Sequence, residues 1–174
     1  MDGDETDAGA SDSTPRFDTR AVTAGEPGPG TAPGVEDVVV PIHLTSTYEI
    51  PGIDPDAELS AIDPDDGEYI YSRLSNPTRN ALENRIASLE GGEYGFAFAS
   101  GTAAVTAAVM ASVEPGDHVV AFEDLYGGTR KMLSGLFRER LNVSVSFVDA
   151  TETAAVELAI RPETSLLWME TPTN

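Results

Sequence analysis

The chain has 174 residues, 40% of them hydrophobic, with 30 acidic against 10 basic side chains and a formal net charge of -20. That length and apolar content suit one domain with a real core, and so acidic a surface repels nucleic-acid phosphates. Cysteine is absent, which excludes disulfides, thiolate metal sites and thiol chemistry.

In chain order, residues 1–18 read as a disordered acidic tail, poor in apolar residues and rich in Asp, Gly, Ser and Thr. Its opening, MDGDETDAGASDS, has neither a basic n-region nor an apolar h-region, so it does not read as a signal peptide. Residues 19–75 read as an extended N-terminal arm, rich in Gly and Pro but carrying the apolar VVVPI and the hydroxyl-rich LTSTY. Within it, residues 51–68 hold seven acids, three prolines and no base, the composition of an exposed loop.

From Asn76 to Asn174 the pattern changes to alternating helix and strand. Pro77 suits the first helical position, with Asn76 as cap. Leu82, Ile86 and Leu89 form an apolar stripe, and Gly91–Gly92 closes the helix. A short strand is predicted at Tyr94–Ala99, then a small-residue helix beginning at SGTAA. The turn EPGD, in which Asp117 serves the turn, leads to the strand HVVAF and the loop EDLYGG. A helix over residues 129–140, the strand VSVSFV, a helix over 152–160, the turn RPET and the strand SLLWM follow. Repeated β–α–β units with continuous apolar strands predict a mostly parallel sheet covered by helices on both faces. The most apolar run, Ala104–Val113, is too short and too hydroxylated to span a membrane. A cytoplasmic protein with a surface suited to high salt, where screening removes self-repulsion, is the expectation.

Three constellations bear on chemistry. In AFASGTAA, a strand ends, Ser100–Gly101–Thr102 turns, and a helix begins. Free N–H groups and the helix dipole make an anion cradle there, and Gly101 lets a phosphate approach; tight strand–helix packing is the alternative. No GK[ST] follows, so this is not a P-loop. In EDLYGGT, Tyr126 hangs over the same sheet edge, where its ring suits a flat, phosphorylated ligand or merely caps the core. In YSRLSNPTRNALE, Arg73 is not justified by the helix that follows, since positive charge disfavours a helix N-terminus. A bidentate phosphate contact explains it, with the Tyr71 hydroxyl as second donor; so does pairing with one of the many surface acids. His43 and His118 sit in different elements and read as turn or packing residues, and no spacing resembles a metal site.

Taken in order, VVVPIHLTSTY, YSRLSNPTRNALE, LEGGEYGFAFASGTAA, PGDHVVAFEDLYGGT and WMETPTN resemble the cystathionine gamma-synthase and gamma-lyase family, which uses pyridoxal phosphate (PLP). The resemblance implies the α/β fold of PLP-dependent transferases of the aspartate-aminotransferase type, here as the arm and the first part of the large domain. It assigns the Gly101 and Thr102 backbone to the chain's own cofactor phosphate and Tyr126 to stacking on the pyridine ring and to catalysis. Tyr71 and Arg73 would reach the phosphate of a neighbouring subunit, within a dimer of dimers. Thr102 stands where a methionine is common, a change that a backbone donor survives. Asn174 would orient an amino-acid substrate for elimination or replacement at its gamma carbon.

The family's pyridine-pairing aspartate and its Schiff-base lysine lie beyond ETPTN, so the resemblance implies the N-terminal part of a longer enzyme. Lys131, the single lysine, is expected on a solvated helix face. A non-catalytic remnant that binds a partner subunit, or nothing specific, is the alternative expectation.

Overall fold

The computed structural model describes residues 14–25, 39–49 and 69–172. Most of the predicted acidic tail, the acidic loop and Asn174 lie outside them. The chain divides into two units, Met1–Ala97 and Phe98–Asn174.

The first unit contains helices α1 (Phe17–Thr23) and α2 (Pro77–Glu90). Phe17 and Asp18, at the end of the predicted tail, thus open a helix. Arginines join the two helices: Arg20 donates to the Ser88 carbonyl, and Arg85 Nε to that of Ala24 at 2.6 Å. Helix α2 starts and stops as its residues dictate. The Asn76 side chain accepts from Thr78 N–H at 2.9 Å, and Gly91 closes the helix in the left-handed region at φ 70°, where a Cβ would be strained.

The predicted stripe along α2 does not face a core. Leu82 and Ile86 are exposed and Leu89 is half-buried, whereas Ala87 is buried. The face of α2 that meets α1 carries Arg85 and Ser88 instead, so the apolar pattern has no facing layer among the described residues.

Residues 39–49 lie along the start of α2. Thr47 and Tyr71 form an antiparallel bridge, and Tyr48 N–H donates to the Ile70 carbonyl at 3.0 Å. The Asn76 amide donates to the His43 carbonyl (3.1 Å) and the Tyr48 hydroxyl (2.9 Å), so one side chain both caps α2 and fastens this segment.

The second unit is a three-stranded parallel sheet with its connecting helices. In chain order these are α3 (Gly101–Ser112), β1 (His118–Phe122), α4 (Gly127–Lys131), β2 (Ser144–Val148), α5 (Thr153–Ala159) and β3 (Thr164–Trp168). Strand order is β2-β1-β3, with Val119 opposite Val145 and Leu166. The central strand β1 is buried from His118 to Ala121, which explains its unbroken apolar run. Val119 and Ala121 meet Val109 of α3 and Leu133, Phe137 and Val143 in the core. The turn before β1 is held as predicted, Asp117 Oδ2 accepting from Glu114 N–H at 2.8 Å.

Two expectations change. Tyr94–Ala99 forms no strand and pairs with none of the described strands. Phe96 is largely exposed, and Ala97 N–H donates instead to Glu83 Oε1 at 2.9 Å. The helix predicted over 129–140 begins earlier, at Gly127, and continues beyond α4 as a π-helix over Met132–Arg140.

His118 is a packing residue. Its ring nitrogens lie 2.8 Å from Thr164 Oγ1 and 2.9 Å from Ser146 Oγ, joining β1 to both neighbours. Burial, reinforced by the Arg161 charge and opposed by Glu163, lowers its pKa from the ordinary 6.5.

Candidate functional site

The site lies in the second unit, where β1 and β3 end. At the start of α3, extended Ser100 places its Oγ to accept from Ala103 N–H at 3.2 Å, and its carbonyl accepts from Ala104. Gly101 and Thr102 N–H make no hydrogen bond among the described residues. Two free donors at the positive end of a 12-residue helix form the expected cradle. A Cβ at Gly101 would meet nothing within 4 Å, so the cradle is open.

Beyond β1, Tyr126 precedes α4 with its backbone at φ -48° and ψ 130°. Its ring lies over Gly128, where a Cβ would overlap Cε1. Gly127 is different: a Cβ there would touch nothing, so only the second glycine makes room for the ring. Tyr126 is 52% exposed, leaving ring surface free to meet a ligand.

Glu170, two residues past β3, completes the site and was given no role from the sequence. Its Oε2 accepts from Tyr126 N–H at 2.7 Å and its Oε1 from the Thr129 hydroxyl at 2.6 Å. The Trp168 indole lies 3.5 Å from Oε1. Burial works to raise the Glu170 pKa, but these donors outweigh it and bring the carboxyl below its ordinary 4.5. The sequence clue was an acid directly after an apolar strand, at the sheet end where ligands collect. The contact itself joins residues 41 and 44 positions apart, beyond the reach of local pattern.

Gly101, Thr102, Val105, Tyr126, Thr129 and Glu170 line a cavity of about 360 Å³. The structure thus brings together three predicted site residues, Gly101, Thr102 and Tyr126. Free amides and an aromatic face around an open cavity fit a phosphorylated ring compound such as PLP.

Tyr71 and Arg73 belong to the first unit. There the Arg73 guanidinium sits 5.0 Å from the centre of the Tyr71 ring and makes no ion pair among the described residues. Lys131 is exposed and does not line the cavity. Among the described residues no cluster of His, Cys, Asp or Glu could hold a metal ion, and no helix is long and apolar enough to cross a membrane.

Fold and site together define a parallel α/β protein with a ligand cavity at the carboxyl ends of its strands. The chain belongs to the family of Cys/Met metabolism PLP-dependent enzymes, whose model matches residues 18–174. It is 41% identical over 161 residues to a cystathionine beta-lyase of Coxiella burnetii, covering 91% of this chain and 37% of that protein. It is 40% identical over 158 residues to a probable cystathionine gamma-synthase of Herpetosiphon aurantiacus, covering 91% and 45% respectively. The crystal structure of cystathionine gamma-lyase from Lactobacillus plantarum complexed with L-serine superposes with a TM-score of 0.73 at 36% identity. That match covers 92% of this chain and 38% of the other. The chain therefore spans less than half the length of these relatives.

Proposed function

We propose that this chain is the N-terminal part of a PLP-dependent transsulfuration enzyme acting at the gamma carbon of a homoserine-derived or cystathionine-like amino acid. The observation that carries this reading is the pair of free amides, Gly101 and Thr102, opening on a cavity that Tyr126 also lines. Membership of a PLP-dependent family supports it.

In this reading the two amides hold the cofactor phosphate, and the Tyr126 ring lies against the pyridine. When bound, PLP supplies an electron sink for the carbanion formed on the amino acid. The Tyr126 hydroxyl holds or moves a proton on the substrate side. Tyr71 and Arg73 donate to the phosphate in a second copy of the chain, whose complete form is a dimer of dimers. Asn174, outside the described residues, orients the amino acid. The acidic surface suits a salt-rich cytoplasm. The relatives' names divide among beta-lyase, gamma-synthase and gamma-lyase, so the reading extends to the class of substrate and not to one reaction.

A second reading rests on Lys131. The only lysine of the chain is exposed and away from the cavity, which favours a chain that by itself binds a partner subunit, or nothing specific, without catalysis.

Titration with PLP, followed by quenching of the single tryptophan, Trp168, tests the cofactor reading. Saturable quenching is expected in the native chain and loss of it in Gly101→Asp, which places a carboxylate in the open cradle. Absence of binding by the folded native chain, with circular dichroism unchanged, overturns it.

A further inference from the structure

Helix α4 begins without the means to hold its own start. Tyr126 occupies the capping position but provides no side-chain acceptor, and the first turn contains no acid. Yet Tyr126 carries a ring that lines the cavity and must keep one direction to be useful there. Its backbone therefore needs an anchor from elsewhere in the chain.

Glu170 is that anchor. One carboxylate oxygen takes the Tyr126 N–H at 2.7 Å and the other takes the Thr129 hydroxyl at 2.6 Å. Thr129 is itself buried, 3% exposed, so this second bond is partly shielded from competing water. The two bonds grip α4 at its first residues and tie them to the end of β3. Gly128 adds a complementary constraint, leaving room on which the ring rests. Glu170 thus holds the backbone, and the missing side chain of Gly128 leaves the ring its place.

We infer that Glu170 is a positioning residue for Tyr126, directing its ring into the cavity by clasping the backbone from which the ring projects. The inference deepens the cofactor reading above and rests on it for what the ring meets. Glu170 acts through Tyr126, so its loss weakens recognition of an aromatic ring and spares recognition of a bare phosphate at Gly101 and Thr102.

Two measurements on the full-length chain test this. The first needs no cofactor: the Tyr126 amide proton, shifted downfield by its bond to a carboxylate, should move upfield in Glu170→Ala and less in Glu170→Gln. Amides of β1 should stay in place. The second compares PLP with inorganic phosphate as probes. Glu170→Ala should lose about tenfold in PLP affinity while phosphate affinity changes by less than about twofold. Glu170→Gln, which keeps one carbonyl acceptor, should lie between and serves alone if the alanine variant does not fold. An unmoved Tyr126 amide, or equal losses for PLP and phosphate, overturns the inference. If the native chain binds phosphate but not PLP, the cofactor reading fails, and the Tyr126 amide still decides whether Glu170 is the clasp.

Discussion

The Tyr126 ring rests directly over Gly128, with no space between them for even a methyl group. The ring is the mobile partner, so Gly128→Ala should displace it and leave the helix intact; alanine is the better helix former. Thermal stability should change little, while PLP affinity falls toward that of a Tyr126→Ala variant. Gly127→Ala, whose Cβ meets open space, is the control and should retain binding. Parallel PLP titrations of both variants check this.

Tyr126 itself separates stacking from proton handling. Tyr126→Phe keeps the aromatic face and should leave PLP affinity nearly unchanged. Tyr126→Ala should lose roughly 0.5–1.5 kcal/mol of binding from aromatic contact beyond area. Equal affinities for the two variants would remove Tyr126 as the stacking residue. In the catalytically complete enzyme, the Phe variant should lose turnover if the hydroxyl carries a proton.

Arg73 offers a test of subunit crossing. An Arg73→Ala chain has an intact cradle, and a Gly101→Asp chain has an intact Arg73. Each alone should bind PLP weakly, the Arg73 variant by about 1–3 kcal/mol, the range for a charge-assisted hydrogen bond or a buried group left unpaired. Mixed with verified exchange, they should regain one native site per mixed dimer. Additive weak binding, with no recovery, would mean that Arg73 does not act in a second copy.

His118 sets a pH dependence. Its folded pKa lies below the ordinary 6.5, so between the two values the unfolded chain holds more protons. Stability is full above about 6.5 and declines as pH falls from there toward the folded value. Arg161 contributes by donating to the same Ser146 hydroxyl at 2.9 Å, which crowds positive charge near the ring. Urea unfolding between neutral pH and pH 5 should show this slope, and His118→Gln should flatten it. Glu170 has the opposite charge but the same sign: its folded pKa is depressed, so its contribution is lost only as pH falls through and below 4.5.

Much of this architecture is legible in sequence because its causes are local. Asn76–Pro77 and Gly91 carry the ends of α2 in their own chemistry, and the buried strand β1 is written as HVVAF. The cradle at Gly101–Thr102 and the aromatic at Tyr126 could likewise be read from residues adjacent in the chain. The failures have a common physical origin. A strand at Tyr94–Ala99 requires a neighbour to complete its ladder, and burial of Leu82 and Ile86 requires a surface to face them. Neither requirement is visible in the segment itself. Glu170 escaped for the same reason: its partners, Tyr126 and Thr129, arrive from the far side of β2 in the chain.

The Asn76 clasp has a chemical consequence of its own. Asparagine side chains age when the following backbone nitrogen attacks the amide carbon, closing a succinimide and releasing ammonia. Here the following residue is Pro77, which has no N–H to lose. The side chain that holds Pro77–Glu90 to residues 39–49 is therefore shielded from deamidation by its own neighbour, and this junction should keep its chemistry through prolonged storage while other asparagines age.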